Sequence, residues 1–333
     1  MLILEMLFFL LIILIAAEVF VNALEHLGEK LKISEGVTGS IFAAVGTALP
    51  ETIVPLLAIF SGTQNQHLNE EIGVGAILGA PLMLSTLSLC LMSLAVWGRR
   101  GAQGHLTPER NGLIRDLNFF LVAFGLSCVA LFVPHETAGL RATLAFVMVT
   151  LYFFYLMLTI RASAQLVRDG HGTEAESPML LTRIGLPEGW FSIGLQLFIG
   201  LALLVTGAKG FIHGIEEASP LLGISALVLS LMIVPVATEL PEKVNSILWI
   251  RKHKDTMAFG NITGAMVFQG TLLPAIGILL TPWVAQKEVL AGIVITLIAA
   301  AWLRIMVARG QLRVWHLAVN GGLYLSYLAI ALS

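Results

Sequence analysis

The sequence predicts an all-α polytopic membrane protein: ten transmembrane helices folded as an inverted five-plus-five repeat, with both termini outside. Three observations carry that expectation. Of the 333 residues, 57% are hydrophobic and only 12% charged, about half the charged share of a soluble domain, and the apolar residues come in runs of membrane-spanning length. Lys and Arg gather in alternate loops. A short motif ending in Pro-Glu occurs twice, at matching places in the two halves.

The apolar runs fall at about 2–26, 37–60, 72–97, 116–133, 140–160, 191–212, 222–250, 257–280, 288–307 and 313–332. The first has no basic n-region and is too long for a signal peptide, so it reads as a retained span. Lys30, Lys32, Arg99, Arg100, Arg110, Arg115, Arg251, Lys252 and Lys254 lie in loops after odd-numbered spans; Arg141, Lys209 and Lys287 represent the even ones. The positive-inside rule then makes the odd loops cytoplasmic, in a cytoplasmic (inner) membrane. With an odd number of spans in each half, homologous halves must lie in opposite orientations, the plan of many secondary transporters. The first repeat is expected over residues 1–160 and the second over 191–333. The charged, Gly- and Pro-containing stretch 161–190 joins them as a cytoplasmic linker. Cys90 and Cys128 both fall in apolar spans and suggest neither a disulfide nor a metal framework. A net charge of −2 gives no reason to expect nucleic acid.

The chemistry concentrates in Gly46-Thr47-Ala48-Leu49-Pro50-Glu51 of span two and Ala237-Thr238-Glu239-Leu240-Pro241-Glu242 of span seven. A carboxylate at mid-membrane costs at least about 2.5–3.5 kcal/mol unless compensated. Each proline removes an amide donor and frees the carbonyl four residues back, those of Gly46 and Ala237. Thr47 and Thr238 stand four residues before Glu51 and Glu242, on the same face of a continuous helix. A carboxylate, a free carbonyl and a hydroxyl are hard oxygen ligands suited to a dehydrated cation. The next spans also correspond, Gly75-x-x-x-Gly79-Ala80 with Gly260-x-x-x-Gly264-Ala265. Helix packing alone accounts for such glycines equally well.

These paired motifs resemble the two alpha repeats of the sodium/calcium exchanger family, within the calcium:cation antiporter superfamily, over nearly the whole chain. The closest matches are Gly46-Thr47-Ala48-Leu49-Pro50-Glu51 and Gly260-Asn261-Ile262-Thr263-Gly264-Ala265. The resemblance implies a secondary active antiporter exchanging calcium for sodium or protons by alternating access, with spans one and six sliding across the core. Glu51 and Glu242 would be the central cation carboxylates. Thr47, Thr238 and the carbonyls of Gly46 and Ala237 would add oxygens, and Asn261 would be a polar partner. Gln269 stands where the family often places Asn or Asp. The expected partners are the lipid bilayer and small inorganic cations, with no resident cofactor.

This is a divergent member. Ala48 and Glu239 replace the family serine, Ala76 and Pro81 replace span-three asparagines, and Met266 and Leu84 remove further oxygens. Lys243 adds a base where the family has none. Glu239 and Lys243 have the spacing and order of a helical ion pair and are read first as neutralising each other. Two sharper alternatives stand beside this: the ammonium replaces one bound monovalent cation, or Lys243 titrates and favours proton coupling. Calcium suits a pair of carboxylates, magnesium and manganese are alternatives set by cavity size, and the lack of Cys and His near the motifs disfavours zinc and copper. A face of Glu18, Asn22 and Glu25 on span one reads as snorkelling or pairing with Lys30, the alternative being a gating contact. Glu70, Glu71, Glu216 and Glu217 read as solvated outer loops, or as collectors of cations, and His213 as an interfacial residue. Two other classes are open: a transport-inactive homologue acting as sensor or scaffold, and an intramembrane enzyme, against which the absence of the usual catalytic motifs argues.

Overall fold

The computed structural model describes residues 2–30, 49–61, 65–167 and 177–333. Its regular elements within these segments are helices, and one isolated antiparallel bridge pairs His105 with Arg313. In chain order come α1 (Leu2–Lys30), α2 (Leu49–Ser61) and α3 (Gln66–Met83), which continues through a π-helical turn at Leu84–Ser88 into α4 (Leu89–Arg100). Then follow α5 (Arg110–Ala130), α6 (Ala138–Val167), a 3-10 turn at Leu180–Ile184 and α7 (Trp190–Leu222). The chain closes with α8 (Ala226–Thr238), α9 (Leu240–Arg251), α10 (Asp255–Leu280), α11 (Lys287–Ala308) and α12 (Val314–Ala331). Among the described residues eight helical stretches are long and apolar enough to cross a membrane, while Glu51–Phe60 of α2 and Ala226–Val236 of α8 are shorter apolar helices.

Span seven differs from the single run expected over 222–250. It is two helices meeting at Glu239, whose φ of −91° and ψ of 4° close α8 and open α9. The cause is local: Pro235 and Pro241 both lack an amide hydrogen, so the ladder loses donors on either side of Glu239. Of span two only the part from Leu49 onward is described, so Gly46 and Thr47 lie outside the described residues. Span three is also irregular. After Pro81 the ladder widens to a π turn, a feature that recurs at functional sites. The Ser85 and Thr86 hydroxyls both donate to the Leu82 carbonyl (3.2 and 2.5 Å), and Asn320 of α12 donates its amide to the Ser85 carbonyl at 2.6 Å.

The core divides in two. The larger apolar cluster runs through α3–α6 and α8–α12; a second, with Ile13, Val54, Ile72, Leu204 and Phe211, holds α1 and α7 against α2, α3 and α8. Helices α1 and α7 are antiparallel and very close. A Cβ added at Gly200 would stand 3.0 Å from Phe20, and one at Gly210 would stand 2.3 Å from the Phe9 ring. In contrast α3 and α8 run side by side in the same direction. There a Cβ at Gly75 would meet the Ser230 hydroxyl at 1.9 Å, and one at Gly79 the Leu231 carbonyl at 2.3 Å. The span-three glycines therefore serve packing. Gly264 meets only the Tyr155 hydroxyl, at 3.9 Å, among the described residues. Phe146, Phe153, Phe154 and Phe198 point outward, as lipid-facing residues do.

The stretch read as a linker is partly built into this frame. Helix α6 continues to Val167, and the segment from Ser177 docks on α1 and α7. Asn22 donates to the Ser177 hydroxyl at 3.1 Å and accepts from the Leu180 amide (3.0 Å) and the Gln196 amide (2.8 Å). His26 approaches the Ser177 carbonyl at 3.0 Å and Glu188 at 3.2 Å. Asn22 is thus a buried clasp rather than part of a snorkelling face, and Lys30 lies over the Trp190 ring, 5.8 Å from its centroid.

Candidate cation site

The break in span seven places Glu239 at the joint and Glu242 in the first turn of α9. Alongside lies α2, carrying Glu51. One oxygen from each of Glu51, Glu239 and Glu242 lies within 4.8 Å of the other two. The side chains are 3%, 0% and 5% exposed. Sequence reasoning brought Glu51 and Glu242 together correctly but assigned Glu239 to Lys243. The signal for Glu239 was available: it precedes Glu242 by three residues, one helical turn.

The second oxygen of each carboxylate is buried and has no hydrogen-bond partner among the described residues, and the same holds for the Gln269 amide oxygen. Such groups are rare in folded proteins because each forfeits its hydration without replacement. Three ionised carboxylates this close are worse still. Like charges no more than 4.8 Å apart repel by about 3.5 kcal/mol or more per pair at an effective dielectric constant of about 20. A cation at the centre reverses the sign of this energy. Oxygens no more than 4.8 Å apart put their midpoint at most about 2.8 Å from each, a span that takes in the calcium–oxygen range of about 2.3–2.6 Å.

The remaining predicted residues serve this centre in different ways. Gln269 of α10 donates to Glu239 at 2.5 Å, leaving its unpartnered amide oxygen in the same neighbourhood. Asn261, two helical turns earlier on that face, donates to the Glu242 carbonyl and the Ser246 hydroxyl, both at 3.0 Å. It braces α9 and so positions Glu242. Thr238 is buried, but its hydroxyl donates back to the Val234 carbonyl at 3.3 Å. The break after Thr238 ends the continuous helix on which its shared face with Glu242 depended. Ala237 lies in the last turn of α8, where Pro241 supplies no donor to its carbonyl.

Lys243 does not form the expected direct ion pair with Glu239. No carboxylate among the described residues lies within 4.0 Å of its ammonium. Nζ instead donates to the Pro235 carbonyl and to the Met83 sulfur, both at 2.8 Å. The i,i+4 geometry assumed a free ammonium on a regular helix; here the proline-rich break offers a carbonyl that the side chain reaches first. No sequence motif marks Met83, although Gly75, Gly79 and Met83 share one face of α3 at intervals of four, the face that packs on α8.

An all-helical membrane-spanning fold with buried carboxylates converging at a helix break defines a cation transporter. The sequence profile of the sodium/calcium exchanger protein family matches residues 1–161 and 192–333, and the chain belongs to that family. It is 26% identical over 275 residues to the inner membrane protein YrbG of Escherichia coli strain K12, covering 82% of this chain and 78% of that one. Among solved structures it is similar to the H+/Ca2+ exchanger CAX, with a TM-score of 0.73 at 17% identity over 100% of this chain and 82% of that chain. The sodium-calcium exchanger NCX_Mj gives a TM-score of 0.59 at 21% identity, covering 99% of each chain. The family and these structural neighbours are exchangers, not enzymes, so the chain is a multi-pass membrane cation antiporter rather than an intramembrane enzyme.

Proposed function

We propose that this antiporter carries calcium against sodium ions or protons by alternating access, with the transported ion held by Glu51, Glu239 and Glu242. The observation that carries this reading is the trio itself: three buried carboxylates converging on one point, each with an unpartnered oxygen. Gln269, Thr238 and the Ala237 carbonyl are the further oxygens from the second half, and Thr47 and the Gly46 carbonyl those from the first. Three convergent carboxylates suit calcium, whose coordination is oxygen-rich and adaptable.

In this reading the chain is an inverted five-plus-five repeat, with repeats over 1–160 and 191–333 joined by 161–190, both termini outside a cytoplasmic membrane. The antiparallel packing of α1 on α7 supports it, since these are equivalent elements of the two halves and inversion fixes that direction; the parallel packing of α3 on α8 agrees with spans three and seven both running inward. The close α1–α7 pair, which meets α2, α3 and α8 through an apolar cluster separate from the main core, supports a unit that slides across the core.

The test is uptake of radioactive calcium into liposomes containing the purified protein. Uptake driven by a sodium or pH gradient and lost in Glu51→Gln supports the proposal. A second reading, a transport-inactive sensor, is favoured by the absence of span-three oxygens at Ala76, Pro81 and Leu84. It predicts saturable calcium binding with no gradient-driven uptake.

A further inference from the structure

We propose that Lys243 is a tethered monovalent counter-ion of the transport site, fixing the exchange at one divalent ion against two monovalent charges. This rests on the antiporter reading above and concerns the charge balance of the same site.

The lysine is 7% exposed and crosses the break in span seven, from α9 back to Pro235 of α8, eight residues earlier. Its surroundings suit an ammonium and not a free alkali ion. An ammonium has three donors and needs few acceptors; a hard cation needs about six oxygens to replace its water. The pocket around Nζ gives one carbonyl oxygen and one thioether sulfur, and a thioether is a soft ligand that hard cations disfavour. No side-chain oxygen comes from α3 at this point: its contribution is Met83, and the nearby Ser85 and Thr86 hydroxyls are turned onto the Leu82 carbonyl. Where a mobile monovalent ion would need about six oxygens, the described residues bonded to Nζ supply one, and a covalently held charge sits there instead.

The consequence is arithmetic. Three carboxylates carry three negative charges and Lys243 returns one, leaving two for the cargo. One divalent ion neutralises the site, and so do two monovalent ions or two protons. A site that crosses a low-dielectric barrier neutral in both directions moves no net charge. The exchange is therefore electroneutral. Removing the ammonium leaves a third negative charge that only an additional monovalent cation can match.

A merely structural staple across the helix break would weaken folding without changing charge, so the test reads charge. Radioactive calcium uptake is compared for wild type, Lys243→Met and Lys243→Ala in liposomes under potassium–valinomycin diffusion potentials of either sign. Wild-type flux should be the same at every potential. In Lys243→Ala, flux should fall roughly tenfold or more, as when one member of a buried charge set is removed, and should recover on addition of methylammonium. In Lys243→Met the residual flux should depend on potential. Wild-type flux that responds to potential overturns the proposal, as do variants that stay potential-independent and indifferent to methylammonium. Equilibrium dialysis with labelled calcium and sodium provides a readout independent of transport. The prediction is two bound cation charges in wild type and three in Lys243→Met. Equal counts refute the counter-ion even if uptake cannot be measured, whereas absence of uptake by wild type with the predicted counts refutes only the antiporter reading.

Discussion

Replacing Glu239 by glutamine separates the site seen here from the one expected of a Glu239–Lys243 ion pair. Glutamine keeps the shape and one oxygen but loses the charge. With the trio oxygens up to 4.8 Å apart, a central dication lies about 2.8 Å from each. At an effective dielectric constant of about 20 its attraction to one carboxylate is about 12 kcal/mol, and loss of that carboxylate also removes two repulsions of about 3.5 kcal/mol. The balance is a loss of about 5 kcal/mol at most, since the amide oxygen still ligates. Calcium binding by Glu239→Gln should therefore weaken by between roughly tenfold and several thousandfold. Isothermal titration of the purified protein in detergent measures it. If Glu239 served only to neutralise a lysine, affinity would stay within about threefold of wild type, and that result would refute the three-carboxylate site.

Four further outcomes follow from single contacts. Gln269→Leu leaves the Glu239 oxygen without its donor at 2.5 Å; calcium affinity should change while the thermal midpoint drops by no more than a buried hydrogen bond warrants, about 1–3 kcal/mol. Gly75→Leu drives side-chain atoms into Ser230 and the Leu227 carbonyl, so α3 and α8 must part and the protein should lose monodispersity on gel filtration; Gly98→Leu, with no neighbour within 4 Å, should not. Arg141 donates to the carbonyls of Ile278, Thr281 and Pro282 at the end of α10, so Arg141→Gln should lower thermal stability by about 1–3 kcal/mol with calcium affinity unchanged. Asn22→Ala should free the segment from Ser177 onward from α1, read as faster cleavage there in limited proteolysis.

Much of this was legible in the sequence because membrane constraints are strong and local. Apolar run length located the eight membrane-length stretches among the described residues, and a costly glutamate beside a proline, seen twice, marked Glu51 and Glu242, which the fold brings together. The parts that were not legible depend on backbone detail. Hydropathy averages over a window, so the run 222–250 could not reveal that Pro235 and Pro241 divide it at Glu239. On an unbroken helix, i,i+4 spacing points Lys243 to Glu239; in the divided span its partners are the Pro235 carbonyl, which also accepts the Glu239 amide, and the Met83 sulfur. Asn22 shows the same limit from another direction. Its polarity on an apolar helix was visible, but its partners Ser177, Leu180 and Gln196 lie more than 150 residues away in the chain, beyond any local pattern.

The claim on which the account stands is that Glu51, Glu239 and Glu242 hold one divalent cation between them. Anomalous scattering from a crystal of the protein soaked in strontium, a heavier stand-in for calcium, addresses it directly. The prediction is a single strong peak within coordination distance of all three carboxylates. A peak bound by fewer than all three, or density confined to the acidic pair Glu70 and Glu71, would contradict it.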